Sequence, residues 1–486
     1  MLGTTIWLLS LSALLTAFLT GLPNVQFPTY LNFWSKSTQR LTTTCPQPLT
    51  SIDHNCPQLN FADLPDDLKM MRIVVVGGSI GGLMAGVALK RLGHRITILE
   101  RSPTQLLHDQ GAGIVVGGEN YVFMLKHDLT RTPWWVDSPY RHYLDRAGNV
   151  ISRSDYPQRM TSWDALYHIL RANFDGMKSA NVPNPPKEEH WGEYRHGCGV
   201  TRLETSPDPS NKVITAHYVN PDGTPDTIEA DMVIVSDGSG GSLHYQLCGK
   251  ESQRTYAGYV AWRGTVLESK LSPATQEALV EKFTFHHSPA LQILSYLVPG
   301  ENGSVERGNR KLNWVWYNNI PHDSEHWKET MTDTEGNLHQ YILRAPKIRP
   351  EVLEKQLQKA RDVLPPSFCE AVEKTDYPFI QAITDSISSR AVFLEGRVVL
   401  LGDAVAGFRP HTAASTSQAA MHALFLEEFL SQYEDGQKGL SEKDAKLYEL
   451  NALAYAKDMS RHGIEMGNLS QFGNHPLARA SAGRSR

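Results

Sequence analysis

The sequence predicts an α/β protein: an open, largely parallel sheet with helices on it, a mostly antiparallel sheet inserted later in the chain, and helices at the C-terminus. Three observations carry this expectation. A β-branched run, a glycine cluster and a helical period follow one another from Arg72 to Arg101. Two further short apolar runs, Met232 to Val235 and Val398 to Leu401, each lead into a turn that pairs glycine with an acid. Between them, residues 255–317 alternate aromatic and polar positions at the period of strands with one buried face.

The first stretch reads RIVVVGGSIGGLMAGVALKRLGHRITILER. Ile73 to Val76 suit a strand buried on both faces, and Gly77, Gly78, Gly81 and Gly82 force a sharp turn after it. Leu83 to Leu92 repeat apolar residues at helical spacing, Gly93 ends that helix, and Ile96 to Leu99 form a second strand closing on Glu100. This βαβ unit of about 30 residues is the context in which a glycine fingerprint means dinucleotide binding, so the first half of the chain is Rossmann-like. Glycines at the turn admit a pyrophosphate, and the helix N-terminus neutralises its charge. Glu100, 23 positions after Gly77, stands where an acid can bind both ribose hydroxyls, with Arg101 beside it. In the G-x-G-x-x-G frame the middle glycine is replaced by Ser79.

With 486 residues the chain exceeds one ordinary core. A content of 41% hydrophobic and 20% charged residues is that of a globular protein, and a net charge of −5 without a dense basic patch speaks against nucleic acid as a partner. Cys45, Cys56, Cys198, Cys248 and Cys369 are scattered without a C-x-x-C, which predicts free thiols and no metal site.

Residues 1–34 carry no charge, and Ile6 to Leu22 is an apolar to weakly polar run of 17, the lower limit for crossing a bilayer. With Lys36 and Arg40 on its C-terminal side, the favoured expectation is a single-pass membrane anchor that leaves the catalytic body in the cytosol. A cleaved signal peptide lacks its basic n-region here, and a start at Met70 or Met71 would make the segment superfluous and the protein cytoplasmic. Residues 35–70, rich in Pro, Thr, Ser, Asn and Gln, read as a linker.

Residues 71–250 are assigned to the first part of the dinucleotide-binding domain. Within them, Gly111-Ala112-Gly113 marks a second close approach of backbone, Trp163 to Phe174 a helix capped by Thr161 or Ser162, and Asn220 to Gly223 the turn of a hairpin. Residues 251–385 form the antiparallel substrate domain, 386–440 the returning second part, and 441–486 a C-terminal helix with a disordered tail. Helices are expected from near Ala413 and over Glu442 to His462.

Glu100, Asp237-Gly238 and Gly402-Asp403 all stand at carboxyl ends of predicted strands, which gather along one sheet edge where ligands bind. An NAD site is complete in one compact domain and has no use for a strand 325 residues downstream. FAD, longer by a ribityl chain and a three-ring system, does: Asp403 suits a ribityl or pyrophosphate contact, and the helix after Pro410 aims its N-terminus at the flavin edge where reduction deposits charge.

These residues carry a family resemblance. VVVGGSIGGL (Val74 to Leu83), GAGIVV (Gly111 to Val116), TYAGYVAWRG (Thr255 to Gly264), LNWVWY (Leu312 to Tyr317) and GRVVLLGDAVAGFRPH (Gly396 to His411) resemble FAD-dependent aromatic monooxygenases of the p-hydroxybenzoate hydroxylase type. They are most similar to the 2,6-dihydroxypyridine 3-hydroxylase branch, over about Met71 to Ala423. The resemblance implies an NAD(P)H- and O2-dependent hydroxylation of an electron-rich aromatic or heteroaromatic molecule through a flavin C4a-hydroperoxide. It implies that Gly77, Gly78, Ser79, Gly81, Gly82 and Glu100 hold the ADP half, and that Asp403 after Gly402 meets the ribityl and pyrophosphate. Asp237 and Gly238 would lie between FAD and the approaching nicotinamide, with Gly113 and Pro410 against the ring system. Candidate substrate-activating residues are His411, Tyr259 and Arg263, with His286 or His287 behind them. The chain departs from the family pattern at Trp163, Gly241, His244, Ala413-Ala414-Ser415 and His422. Two other readings stay open: a flavin epoxidase or oxidative-rearrangement enzyme on a lipophilic alkene or polyketide, and a flavin-binding protein without turnover. The sequence offers no reading of the oligomeric state.

Overall fold

The computed structural model describes residues 70–107, 113–188, 192–206, 208, 212–249, 253–432, 436–473 and 475–478. The expected anchor over 1–34, the linker up to residue 69, Cys45 and Cys56 lie outside the described residues. Among the described residues, no helix is long and apolar enough to cross a membrane.

Residues 66 to 486 form one compact unit built on two large sheets. The smaller has six strands in the order Val392–Phe393, Val398–Leu400, Met232–Val235, Arg72–Val76, Arg95–Glu100 and Glu193–His196. All neighbours are parallel except the outermost pair at the Val392 edge. Its central strands bear buried Val, Ile and Leu on both faces, as a sheet covered by helices requires. Helix Ile80–Lys90 packs against helices Trp163–Asp175 and Ser415–Leu430. Ser162 Oγ accepts the Ala165 N–H at 3.1 Å and caps the second of these, as expected.

The larger sheet has nine strands. Eight follow the order Ile342–Arg344, Phe379–Ile387, Thr255–Leu267, Lys311–Asn319, Leu291–Val298, Phe283–Ser288, Arg141–Leu144 and Val150–Ser154, and Ala406–Gly407 pairs with Phe379–Ile387. The strands over 141–154 come from the segment assigned to the dinucleotide-binding part, so the domain boundary drawn at residue 250 does not separate the two sheets. Strand pairing across 140 residues left no local signature to read.

Strand alternation gives this sheet two different faces. Trp262, Trp314 and Trp316 lie on one, in a dry core completed by Leu279, Ala360 and Phe368 of the helices Pro273–Leu279, Pro350–Val363 and Pro366–Glu373. Tyr259, Ala261, Phe285, Tyr296 and Tyr317 lie on the other, with Met160 and Val115 against them. Tryptophans are thus packing, and the tyrosines belong to a second, more polar face. The C-terminal helix runs over Glu442–Gln471, nine residues beyond its expected end at His462, and helix Ser415–Leu430 starts two residues later than expected.

Candidate functional site

The turn after the first strand is shaped by contacts only glycine permits. Gly77 has φ +99°, and a Cβ there would lie 2.4 Å from the Ser236 carbonyl oxygen. At Gly82 a Cβ would lie 1.9 Å from the Gly77 carbonyl oxygen, so the helix start sits directly on the turn. At Gly78 the Tyr194 hydroxyl would be 2.3 Å away, and at Gly81 the Ser236 Oγ 3.0 Å. Ser79 stands in extended conformation at the N-cap but makes no side-chain cap bond, leaving the first N–H groups of helix Ile80–Lys90 to a charged ligand. Glu100 Oε2 accepts the Gly78 N–H and Oε1 the Ser102 N–H, both at 2.8 Å, which ties the acid to the turn while lone pairs remain. Arg101 is exposed, and its charge acts on Asp237.

The strand Val398–Leu400 delivers the second half. The Leu401 N–H bonds the Val235 carbonyl at 2.9 Å and places the turn Gly402–Ala404 beside the first one. Gln418 Nε2 clamps this turn by donating to the Gly402 and Ala406 carbonyls, each at 2.9 Å. His422 Nδ1 accepts the Gly402 N–H at 3.1 Å, and burial holds its imidazole neutral with a pKa of about 3. Asp403 is accessible to solvent, yet the protein surrounding it pushes its carboxyl pKa up, opposed by a hydrogen bond to Ser415 and the charge of Arg254. A side chain that keeps accessible surface inside surrounding protein lines a cleft, and Glu119 and His411 share that combination.

Past Pro410, Ala413 adopts the left-handed conformation with φ +53°, and helix Ser415–Leu430 begins without a side-chain cap. The Thr412 and Thr416 hydroxyls beside that end are buried and unpaired. Two long helices therefore present uncapped N-termini, with free hydroxyls and accessible carboxylates close by. This donor and acceptor set fits FAD: N–H groups for a pyrophosphate, carboxylates for sugar and ribityl hydroxyls.

The tyrosine face of the larger sheet meets this region at His411. The Tyr259 hydroxyl lies 3.0 Å from His411 Nε2, and the His411 ring stacks on Tyr317 with centroids 4.5 Å apart. Burial brings the His411 pKa down to about 3 and raises the Tyr259 phenol, so both are neutral near pH 7. Arg409 forms a paired bridge to Asp385, with Nη2 at 2.7 Å, and donates from Nη1 to Asn468 at 2.8 Å. Arg263, two positions along the same face from Ala261, donates to Gln381 Oε1 at 2.7 Å and bears on the phenols of Tyr296 and Tyr317. Of the paired histidines, His286 turns to the Leu144 carbonyl at 2.9 Å, while His287 shares the tyrosine face and stacks on His475 at 4.0 Å.

Two of the predicted residues are tied to neighbouring elements. Asp237 turns onto the start of helix Ser242–Cys248, where Oδ2 accepts the Leu243 N–H at 3.1 Å and Oδ1 is buried and unpaired; burial lifts its pKa to about 6. Gly241 is required by this contact, since a Cβ would lie 1.9 Å from the Asp237 carboxyl carbon. Gly113 faces the larger sheet, its N–H held by Asn313 Oδ1 at 3.0 Å. Gly238 adopts φ +80°, with open space where a side chain would be. Sequence reasoning missed Arg409, Asp385, Gln418 and Asn468, whose roles depend on partners 12 to 59 residues away.

A family model described as FAD binding domain-like matches residues 256–385. The chain is 29% identical over 406 residues to 2,6-dihydroxypyridine 3-monooxygenase of Paenarthrobacter nicotinovorans, covering 82% of this chain and 94% of the relative. It is 25% identical over 412 residues to 6-hydroxynicotinate 3-monooxygenase of Pseudomonas fluorescens, covering 80% and 89%. The solved structure of 2,6-dihydroxypyridine-3-hydroxylase from Arthrobacter nicotinovorans superposes with a TM-score of 0.70 at 27% identity, covering 84% of this chain and 95% of that one. The chain has the fold of the FAD-dependent aromatic monooxygenases and, through most of its length, is similar to their 2,6-dihydroxypyridine 3-hydroxylase branch.

Proposed function

We propose that this chain is an FAD-dependent monooxygenase that uses NAD(P)H and O2 to hydroxylate an electron-rich aromatic or heteroaromatic small molecule. The observation that carries the reading is the Tyr259–His411 pair, set directly after the Gly402–Asp403 turn and against a buried tyrosine face. The relatives named for hydroxypyridine and hydroxynicotinate oxidation support the substrate class. Gly77, Gly78, Ser79, Gly81, Gly82, Glu100 and Arg101 would hold the ADP half of FAD. Gly402 and Asp403 would hold its ribityl side, with Gly113, Asp237, Gly238 and Pro410 around the ring and the nicotinamide approach. When bound, the flavin supplies reducing equivalents from NAD(P)H and activation of O2.

The protein's own part is to orient the ring, keep it dry and polarise its hydroxyl. Tyr259 is fully buried and its neighbours Tyr317 and Tyr296 nearly so, which excludes water from the face on which the substrate lies. The neutral His411 Nε2 accepts from the Tyr259 hydroxyl and Arg409 donates to it, so the phenol is fixed in one orientation at the substrate face. Held this way, the pair orients and polarises the substrate's ring hydroxyl while His411 stays neutral. Polarisation toward the phenolate raises the ring's electron density, and Arg263 stabilises the developing negative charge.

Residues 71–250 with 386–440 are read as the flavin part, apart from the strands over 141–154, which join 251–385 in the substrate part, and the membrane tether rests on the apolar run Ile6 to Leu22 alone. The test is to purify the full chain, record its visible spectrum, and follow NAD(P)H oxidation in air with a panel of phenols and hydroxypyridines. Bound flavin and ligand-stimulated oxidation with hydroxylated product are expected. A folded, colourless protein, or flavin without stimulation by any ring compound, would sink the reading.

A further inference from the structure

The C-terminal helix ends against the active site, and its last residues touch the Tyr259–His411 pair from the side away from the glycine turns. Gly467 lies so close that a Cβ there would be 2.3 Å from the Tyr259 hydroxyl and 3.1 Å from both His411 Cδ2 and Arg409 Cδ. One turn earlier, Gly463 leaves the same loop room, with Arg409 Cβ and Thr412 Cγ2 each 3.6 Å from the place of its absent Cβ. The next residue, Asn468, takes the Arg409 Nη1 donor at 2.8 Å, and Arg409 also bonds the Tyr259 hydroxyl and is held by Asp385. Ser470 Oγ donates to Gln292 at 3.0 Å, the Gln471 carbonyl accepts Asn319 Nδ2 at 2.7 Å, and Phe472 sets its ring edge-on to Tyr259 at 5.9 Å. His475 then stacks on His287 with rings 4.0 Å apart and 6° from parallel.

These contacts fall in order along one row of the sheet. Tyr317, Gln292 and His287 are register partners on three adjacent strands, and His411, Ser470 and His475 lie over them in that sequence. A segment serving only to cover a core would bury apolar side chains. This one instead makes four polar or ring contacts on the polar face and leaves Phe472 more than half exposed, at 56%.

We propose that Gly467–His475 is a positioning segment of the active site: Gly467 sets where the Tyr259 hydroxyl stands relative to His411, and Asn468 fixes the Arg409 that orients it. This rests on the reading of Tyr259 and His411 as the substrate-activating pair. None of these residues touches the glycine turns that receive the dinucleotide, so their loss acts on substrate chemistry and not on flavin binding.

The test uses the full, flavin-loaded chain and the variants Gly467→Ala, Asn468→Leu and Asn468→Asp. Gly467→Ala is expected to keep flavin occupancy, lower kcat for the ring substrate at least tenfold, and divert NAD(P)H oxidation from product to peroxide. Asn468→Leu should lower kcat several-fold, and Asn468→Asp, which retains the acceptor for Arg409, should restore it. Wild-type kcat and product yield in Gly467→Ala would overturn the proposal. If that variant does not fold, equal defects in the two Asn468 variants would overturn it instead. A readout free of turnover is the ¹⁵N resonance of His411 Nε2, which should lose its hydrogen-bond shift in Gly467→Ala or Asn468→Leu. An unchanged resonance speaks against positioning even if no panel compound is a substrate, which separates failure of this inference from failure of the proposed reaction.

Discussion

Tyr259 and His411, 152 residues apart in the chain, meet at 3.0 Å between the phenol oxygen and Nε2. The first sits on the long strand Thr255–Leu267 of the nine-stranded sheet, the second after the turn that follows the last parallel strand of the six-stranded sheet. Their contact joins the larger sheet to the segment that follows the six-stranded one.

Removing the hydroxyl alone, as Tyr259→Phe, should leave packing and flavin occupancy intact while lowering kcat for the ring substrate about 10-fold to 100-fold, the worth of a hydrogen bond to a developing charge of about 1.5–3 kcal/mol. Steady-state turnover with product quantification checks this. Undiminished kcat would remove Tyr259 from substrate activation.

Asp403→Ala should lower the affinity for flavin by roughly 10-fold to 100-fold, the worth of a charged hydrogen bond of about 1.5–3 kcal/mol. Flavin absorbance per protein after dialysis reports it. Full occupancy would show that Asp403 does not contact the cofactor.

Two glycine substitutions should separate turn geometry from mere backbone conformation. Gly82→Ala places a Cβ 1.9 Å from a carbonyl oxygen and should prevent accumulation of flavin-bound protein. Gly93→Ala, at φ +87° with nothing within 4 Å, should cost only about 1–2 kcal/mol and keep flavin. Urea midpoints and visible spectra compare the two.

Ala413 occupies a left-handed conformation at φ +53°, which favours glycine. Ala413→Gly relieves about 1–2 kcal/mol of strain, offset in part by about 0.4–1 kcal/mol of added unfolded-state freedom. A net gain of about 0.5–1 kcal/mol is expected in denaturant unfolding, and a loss would mean that the helix start is not strained.

His422 is held to a pKa of about 3, against 6.5 for a free imidazole. Between those values the unfolded chain binds a proton that the folded chain refuses, so this residue makes stability fall as pH falls from about 6.5 toward 3. His422→Asn keeps an acceptor for the Gly402 N–H and cannot titrate. The acid decline in unfolding free energy should be shallower in the variant; equal slopes would show that His422 is not the refused proton.

Much of this architecture was legible where the determinants are local. Ile73 to Glu100 announces its strand, turn, helix and strand through glycine placement and apolar period, and each appears in place. The hairpin around Asn220 to Gly223 and the cap at Ser162 follow from the same short-range chemistry. Legibility failed where an element's role depends on a distant partner. The strands over 141–154 joined the other sheet, and the C-terminal helix ran on to Gln471 because its end is anchored on Asn319 and Gln292.

The sequence by itself determined the two sheets, the glycine turns and the acids at the strand ends, because turn sterics and burial periodicity act over a few residues. Only the tertiary structure decided which tyrosine meets which histidine, that Arg409 and Asn468 hold them, and that the end of helix Glu442–Gln471 seats the pair. Those relations are set by pairing and packing between segments tens to hundreds of residues apart, for which a single sequence carries no periodic signal.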